Sequence, residues 1–146
     1  MALLEPLPAS LAQLTPDRWT EPFWVAAGEH RLVCARCRGC GRHRMPPSPF
    51  CPACRSQDID WDELPGTGRI FTFTIVRHAV IAAVREHVPY VVAVVDLDGA
   101  PGARLVTNVI GAEPEEVQID SAVAVVWQDC GEGVAVPKVV LVGAGG

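Results

Sequence analysis

Cys37-Arg38-Gly39-Cys40-Gly41 and Cys51-Pro52-Ala53-Cys54 decide how this sequence folds, with ten residues between Cys40 and Cys51. A CxxC turn brings two thiolates to one ion, and a second such turn completes a tetrahedral shell of four sulfurs. Four protein ligands leave no coordination position for water. The metal expected is therefore structural, and its binding energy is folding energy for a segment too short and polar to bury its own core. Zinc is the default occupant, and iron fits the same sulfur shell. Gly41 supplies the positive φ that a knuckle needs after its second cysteine; Arg55 stands at the matching place in the second knuckle, at some cost in strain. Cys34 makes a third CxxC with Cys37, but Gly41 sets the register on Cys37 and Cys40. Cys34 then reads as a strand residue ahead of the ribbon, and the distant Cys130 as a packed thiol. Two disulfides are the competing reading of the four cysteines. The start, MALLEPLPAS, has no basic region and is broken by Pro6 and Pro8, so it does not read as a secretory signal. A reducing cytoplasm and a bound metal are expected instead.

On the N-terminal side, residues 1–20 are rich in proline and leucine and read as an arm that orders against another surface. Thr20-Glu21-Pro22 reads as a helix start, with Thr20 as cap, and Gly28 limits that helix to two or three turns. Trp19, Phe23 and Trp24 are residue types that anchor interfaces. They either cover this chain's own barrel or form a partner surface, and the second reading is favoured. On the C-terminal side the pattern turns to β from Trp61 onward. Ile70 to Val76 alternates, with Phe71, Phe73 and Ile75 expected on one face. Further strands are expected over 91–95, 104–110, 122–127 and 134–142, with a helical turn at 113–117. Five strands with a short helix between the third and fourth match a closed barrel of the OB type; a plain meander or an SH3-like barrel fits the same pattern. The expected organisation is an arm and helix over 1–32, a zinc ribbon over 33–60 and a barrel over 61–146, mostly β overall. The tail after Val142 reads as flexible.

The chain has 146 residues, is 49% hydrophobic and carries a formal charge of −5. No apolar run is long enough to span a membrane as a helix. Six arginines lie from Arg31 to Arg55 with no acid among them, so the ribbon is basic and the remainder strongly acidic. Arg36, Arg38, Arg42 and Arg44 are candidates for phosphate groups or for acids on a partner. The acidic barrel repels phosphates and argues against a nucleic-acid platform, although Trp61, Phe71, Phe73, Tyr90 and Trp127 could stack bases. No GxSxG or HExxH pattern is present. His78 and His87 flank an apolar loop with Arg77 and Arg85 nearby, and are candidates for contact with a partner or ligand. His43, among arginines, reads as exposed.

Pro22-Phe23-Trp24, the two cysteine knuckles, Pro46-Pro47, Gly66-x-Gly68, Val88-Pro89-Tyr90 and Val136-Pro137-Lys138 occur in an order that resembles the acyl-CoA-associated zinc-ribbon/OB-fold family, over residues 20–142. That resemblance implies an N-terminal helical hairpin, a rubredoxin-like ribbon and an OB-fold barrel. It also implies a non-catalytic accessory subunit, in a hetero-oligomer with a thiolase-superfamily enzyme that performs acyl transfer or aldol cleavage on CoA thioesters. One branch of the family serves steroid side-chain degradation and another polyketide-like acetyl transfer. The alternatives are an autonomous acyl-CoA-binding protein or thioesterase-like enzyme using His78 or His87, and a single-stranded nucleic-acid module.

Overall fold

The computed structural model describes residues 6–143. Leu3 and Leu4 of the expected arm and Ala144 to Gly146 of the expected tail lie outside that range. The one α-helix among the described residues, α1 (Glu21–Gly28), runs for two turns with Pro22 in its first turn. Thr20 occupies the cap position but makes no capping bond. Its hydroxyl accepts from the Asp17 N–H, while the Asp17 carboxylate accepts from the N–H groups of Trp19 and Thr20 at 2.9 Å each. The helical hairpin that the family resemblance implies is not present among the described residues. The described residues ahead of α1 form one 3-10 turn at Ala9–Leu11, and Pro16 keeps it from running on toward α1, because proline cannot continue a helix. The Leu7 carbonyl is tied to the barrel by Gln128 Nε2 at 2.7 Å.

A first sheet has the order β2-β1-β3, from β1 (Val33–Cys37), β2 (His43–Arg44) and β3 (Ile59–Glu63). All five residues of β3 pair with β1, so Trp61, Asp62 and Glu63 belong to the ribbon sheet rather than to the barrel. The barrel is built from β4 (Thr67–Val76), β5 (Tyr90–Leu97), β6 (Arg104–Val109), β7 (Ala122–Asp129) and β8 (Ala135–Leu141). It closes in the order β4-β5-β6-β8-β7, with β4 returning to β7. A meander would pair β6 with β7. Here β6 runs parallel to β8, while the other barrel pairs are antiparallel. That order, with a 3-10 turn at Pro114–Glu116 between the third and fourth strands, is the OB-fold barrel.

Inward positions alternate as a half-buried strand requires: Val91, Ala93, Val95 and Leu97 of β5 are buried. Strand β4 departs from this. Its register slips between Ile70 and Thr72, a bulge that turns Phe71 outward. Phe71 is 45% exposed, while Phe73 and Ile75 pack on the core. The single face expected for Phe71, Phe73 and Ile75 is thereby corrected; the Arg104 guanidinium lies over the Phe71 ring, 3.6 Å from its centroid. Gly68 sits at the closure and pairs with both β5 and β7. A Cβ there would meet the Asp96 carbonyl oxygen at 2.2 Å, so only glycine lets these backbones approach.

Ribbon and barrel share one core. Leu32, Val33 and Cys34 cluster with Leu64, Ile70 and Val95, joined by Phe23, Ala26 and Ala27 of α1. The Leu64 N–H donates to the Leu32 carbonyl at 2.8 Å. At the other end, His30 Nε2 meets Asp129 Oδ1 at 2.6 Å and its ring stacks on Trp127. No helix among the described residues is long and apolar enough to cross a membrane.

Candidate metal centre

Two matching turns build the cysteine cluster. In the first, the Gly41 N–H donates to the Cys37 carbonyl at 2.8 Å and the Cys37 N–H to the Arg42 carbonyl at 2.8 Å. In the second, the Arg55 N–H donates to the Cys51 carbonyl at 2.9 Å and the Cys51 N–H to the Ser56 carbonyl at 2.9 Å. The residue after each second cysteine is left-handed: Gly41 has φ 78° and Arg55 has φ 65°. Arg55 therefore carries the strain expected of a side chain in that region. Gly39 is constrained by space, since a Cβ there would lie 3.3 Å from Cys54 Sγ and from Ser56 Cβ.

The sulfurs of Cys37, Cys40, Cys51 and Cys54 all lie within 4.8 Å of one another. Cys37 and Cys54 are 3.4 Å apart and Cys40 and Cys51 3.6 Å apart. Thiolates bound about 2.3 Å from a common zinc ion sit about 3.8 Å apart in a tetrahedron. None of the four is in a disulfide. The donor set therefore fits a structural zinc ion, which would supply folding energy rather than reactivity.

The charges agree. N–H groups of Cys54 and Ala53 pull the Cys51 thiol down to about 6, and the N–H of Cys40 leads the lowering at Cys37. At Cys54 the Ser56 N–H works in the same direction, but the Cys37 sulfur, desolvation and the remaining sulfurs push the thiol up to about 11. Four thiolates so close cannot all ionise without a cation among them. Cys34 stands apart. It is fully buried on β1 with its sulfur 3.7 Å from the Ala35 and Arg44 carbonyls, and burial raises it to about 11. Cys130 is half-buried at the end of β7, its sulfur 3.5 Å from the Gln128 carbonyl.

The expected basic surface is largely answered from within the chain. Arg36 Nε meets Asp62 Oδ2 at 2.9 Å, and Arg38 Nη2 meets Asp60 Oδ1 at 2.9 Å. His43 is not exposed as expected: its side chain is 12% accessible and Nε2 meets Asp62 Oδ2 at 2.9 Å. Bonds from His43 and then Arg36 hold the Asp62 carboxyl below its usual range, against some desolvation. Register explains these pairs, because Asp60 lies opposite Arg36 and Arg36 opposite His43, and Asp62, two residues along β3, shares their face of the sheet. Arg44 is 6% exposed; its Nε donates to the Ser48 carbonyl at 3.0 Å, while Nη1 and Nη2 have no partner among the described residues. Arg42 is exposed.

The expected interface residues separate. Phe23 packs in the chain's own core at 8% exposure, while Trp24 is half-buried and meets Phe23 edge to face at 5.0 Å. Trp19 is half-buried with Arg18 over its ring at 4.4 Å. His78 is exposed, and His87 is half-buried with no partner for its Nδ1 among the described residues. Between them Val80 and Ile81 are 87% and 51% exposed. Lys138, which stands in the Val136-Pro137-Lys138 motif, is 8% exposed and donates to Asn108 Oδ1 at 2.7 Å. A lone lysine in an apolar strand was the available signal.

Residues 24–60 match the model of the ChsH2 rubredoxin-like zinc ribbon domain, and residues 61–128 that of the ChsH2 C-terminal OB-fold domain. A solved structure described as "Ltp2-ChsH2(DUF35) aldolase" contains a chain 33% identical to this one. The match covers 88% of this chain and 98% of that one, with a TM-score of 0.77. The chain belongs to the ChsH2 (DUF35) zinc-ribbon and OB-fold family. This ChsH2-type chain is also 39% identical, over 116 residues, to the probable enoyl-CoA hydratase alpha subunit of Thermomonospora curvata; the match covers 79% of this chain and 35% of that one. It is 31% identical over 98 residues to a DUF35 domain-containing scaffold protein of Methanocaldococcus jannaschii, covering 66% of this chain and 67% of that one. The chain thus spans about a third of the hydratase subunit and two thirds of the scaffold protein.

Proposed function

We propose that this chain is a non-catalytic accessory subunit that binds a thiolase-superfamily enzyme acting on acyl-CoA and supports that enzyme's active site. The observation that carries the reading is its likeness, over 98% of the matched chain, to a component of a structure named as an aldolase with a ChsH2 (DUF35) part. The scaffold name of the archaeal relative supports the same role. The physical contribution is positional. A metal-tied ribbon sharing one core with a closed barrel presents a rigid wall, and such a wall can hold a partner's loops in reacting geometry. The reading places the subunit in the cytoplasm, in a hetero-oligomer, with acyl transfer or aldol cleavage of CoA thioesters as the partner's reaction and steroid side chains among the candidate substrates.

The partner surface in this reading is the loop between β4 and β5, where Val80 and Ile81 are exposed between His78 and His87, together with Trp19 and Trp24. Of the four candidate arginines, Arg42 is the exposed one left to meet a CoA phosphate, because Arg36 and Arg38 are engaged by Asp60 and Asp62 and Arg44 is buried. The test is co-expression of the tagged chain with the thiolase-like product of a neighbouring gene, followed by mass and zinc analysis. A zinc-containing complex, whose partner loses activity or solubility when this chain is omitted, is the expected result. A chain that stays monomeric beside every such neighbour, or that turns over a thioester alone, overturns the reading.

A further inference from the structure

Lys138 is the one lysine of the chain. It lines a cleft of about 730 Å³ on the outside of the barrel, beside α1, the Met45-Pro46-Pro47 segment and strands β6 and β8. We infer that its side-chain amine is a carbonyl-capture site: it attacks an aldehyde or ketone that enters the cleft and holds it as a reversible imine. The amine lone pair adds to the carbonyl carbon, and one amine proton passes to the oxygen. The carbinolamine then loses that hydroxyl, with the second amine proton, as water. The step needs no oxidant, reductant or cofactor, and hydrolysis returns both partners unchanged. A carboxylate forms no imine, and a thioester would leave a permanent amide. The chemistry is capture rather than turnover, so it goes beyond the accessory-subunit reading without contradicting it.

Placement makes this amine a nucleophile rather than a surface charge. Lys138 is 8% exposed, and its Nζ donates to Asn108 Oδ1 at 2.7 Å. The Asn108 amide is held in turn, because its Nδ2 donates to the Val91 carbonyl at 3.1 Å. The Thr107 hydroxyl, 2.6 Å from the Pro137 carbonyl, and the Val109–Val139 pairing pin β6 to β8 on either side of the lysine. Lys138 meets no carboxylate among the described residues. The other charged residue lining the cleft, Arg104, is also a cation and is answered by Asp96 at 2.8 Å. A buried ammonium without a counter-charge is costly, whereas a neutral amine is not. Burial accordingly lowers the lysine's pKa. The neutral amine keeps the Asn108 hydrogen bond through one N–H and leaves its lone pair free. Desolvated lysines of this kind form Schiff bases with carbonyl compounds. Phe23, Trp24, Val92 and Val106 supply apolar wall, which suits a carbon chain and keeps away the water that would hydrolyse the imine. Aldol cleavage releases a carbonyl compound, so the inference rests on the accessory-subunit reading for the source of the carbonyl and not for its capture.

The experiment is reductive trapping on the full, zinc-loaded chain without any partner. Hexanal or formaldehyde is added with cyanoborohydride at pH 7, and the adducts are read by intact mass and peptide mapping. With a single lysine, mapping has only to separate Lys138 from the α-amine. Lys138 is expected to be labelled at least tenfold faster in the folded chain than in the chain unfolded by guanidinium, where nothing desolvates the amine. A lysine that is buried for packing alone gives the opposite order, because folding then shields it. Asn108→Asp sets a carboxylate against the ammonium and slows labelling by more than tenfold at unchanged zinc content. Val106→Trp, at a rim position that is 66% exposed and so tolerant of bulk, slows hexanal by more than tenfold and leaves formaldehyde labelling in place. It stands as the deciding variant if Asn108→Asp does not fold. Labelling no faster in the folded chain than in the unfolded one, or rates unmoved by both variants, overturns the site. Co-purification with a partner would be untouched by that failure, which keeps the two readings separable.

Discussion

Gly68→Ala asks whether barrel closure depends on one missing side chain. The new Cβ would lie 2.2 Å from the Asp96 carbonyl oxygen, 2.9 Å from Val95 Cγ1 and 3.2 Å from the Asp96 carbonyl carbon. A carbon and a carbonyl oxygen rest about 3.2 Å apart, so the strands must separate by about 1 Å or shear. Gly68 pairs with Leu97 on one side and Val123 on the other, so relief on one seam strains the next. Losing about two ladder hydrogen bonds costs about 2 kcal/mol, and forced packing adds about 1 kcal/mol or more. The sum, about 3 kcal/mol, corresponds to a fall in Tm of roughly 6 to 12 °C for a domain of this size. Thermal unfolding of zinc-saturated protein measures it. Gly41→Ala is the control. It has open space around its Cβ but φ 78°, so it costs about 1 to 2 kcal/mol through conformation alone, and within the ribbon. A Gly68→Ala Tm within 2 °C of wild type, or one no lower than that of Gly41→Ala, would refute the steric argument.

Metal removal should act on the ribbon first: a strong chelator releases one zinc per chain and makes four thiols reactive, while barrel amides stay protected from exchange. Cys34 should remain unreactive until global unfolding, since it is fully buried. Its folded thiol keeps its proton up to about pH 11, whereas the unfolded thiol loses it near 9. Stability measured by urea should therefore fall as pH rises through that window, and Cys34→Ala should flatten the fall. Asp62→Asn should cost about 1 kcal/mol in urea unfolding at pH 7, by weakening the joint hold on His43 and Arg36. Because that carboxyl is held below its ordinary value of 3.8, its contribution is present above that pH and lost on further acidification, and the mutant and wild-type curves should converge there.

Much of this fold could be read along the chain because its signals are local. The knuckle spacing, Gly41 and the five barrel strands are set by neighbours within a few residues, and the structure has them where expected. What could not be read depends on partners far away in sequence. The parallel β6–β8 pair that distinguishes an OB barrel from a meander joins residues some thirty apart. The outward turn of Phe71 comes from a bulge against β5. The arginine cluster looked free because its segment holds no acid, yet Asp60 and Asp62 arrive on the antiparallel neighbour. Phe23 and Trp24 carry interface-type side chains, but whether such residues face outward depends on what the helix lies against.

Metal, ribbon and cleft form one physical chain of cause. The cysteine cluster fixes both knuckles, and the Met45-Pro46-Pro47 segment runs between them. That segment and Lys138 both line a cleft of about 730 Å³ on the outside of the barrel, beside α1 and strands β6 and β8. Beyond the packing of Met45 on the core, its own pairing is short: β2 is two residues long, and the Arg44 guanidinium inside the turn donates through Nε to the Ser48 carbonyl. Two pairings cannot define a wall against thermal motion, whereas a four-thiolate centre ties both of its ends. The zinc ribbon is thus more than a staple for a small module. It holds in place the surface against which α1 and the barrel enclose an apolar space, and the shared core of ribbon and barrel passes that rigidity to whatever the protein binds.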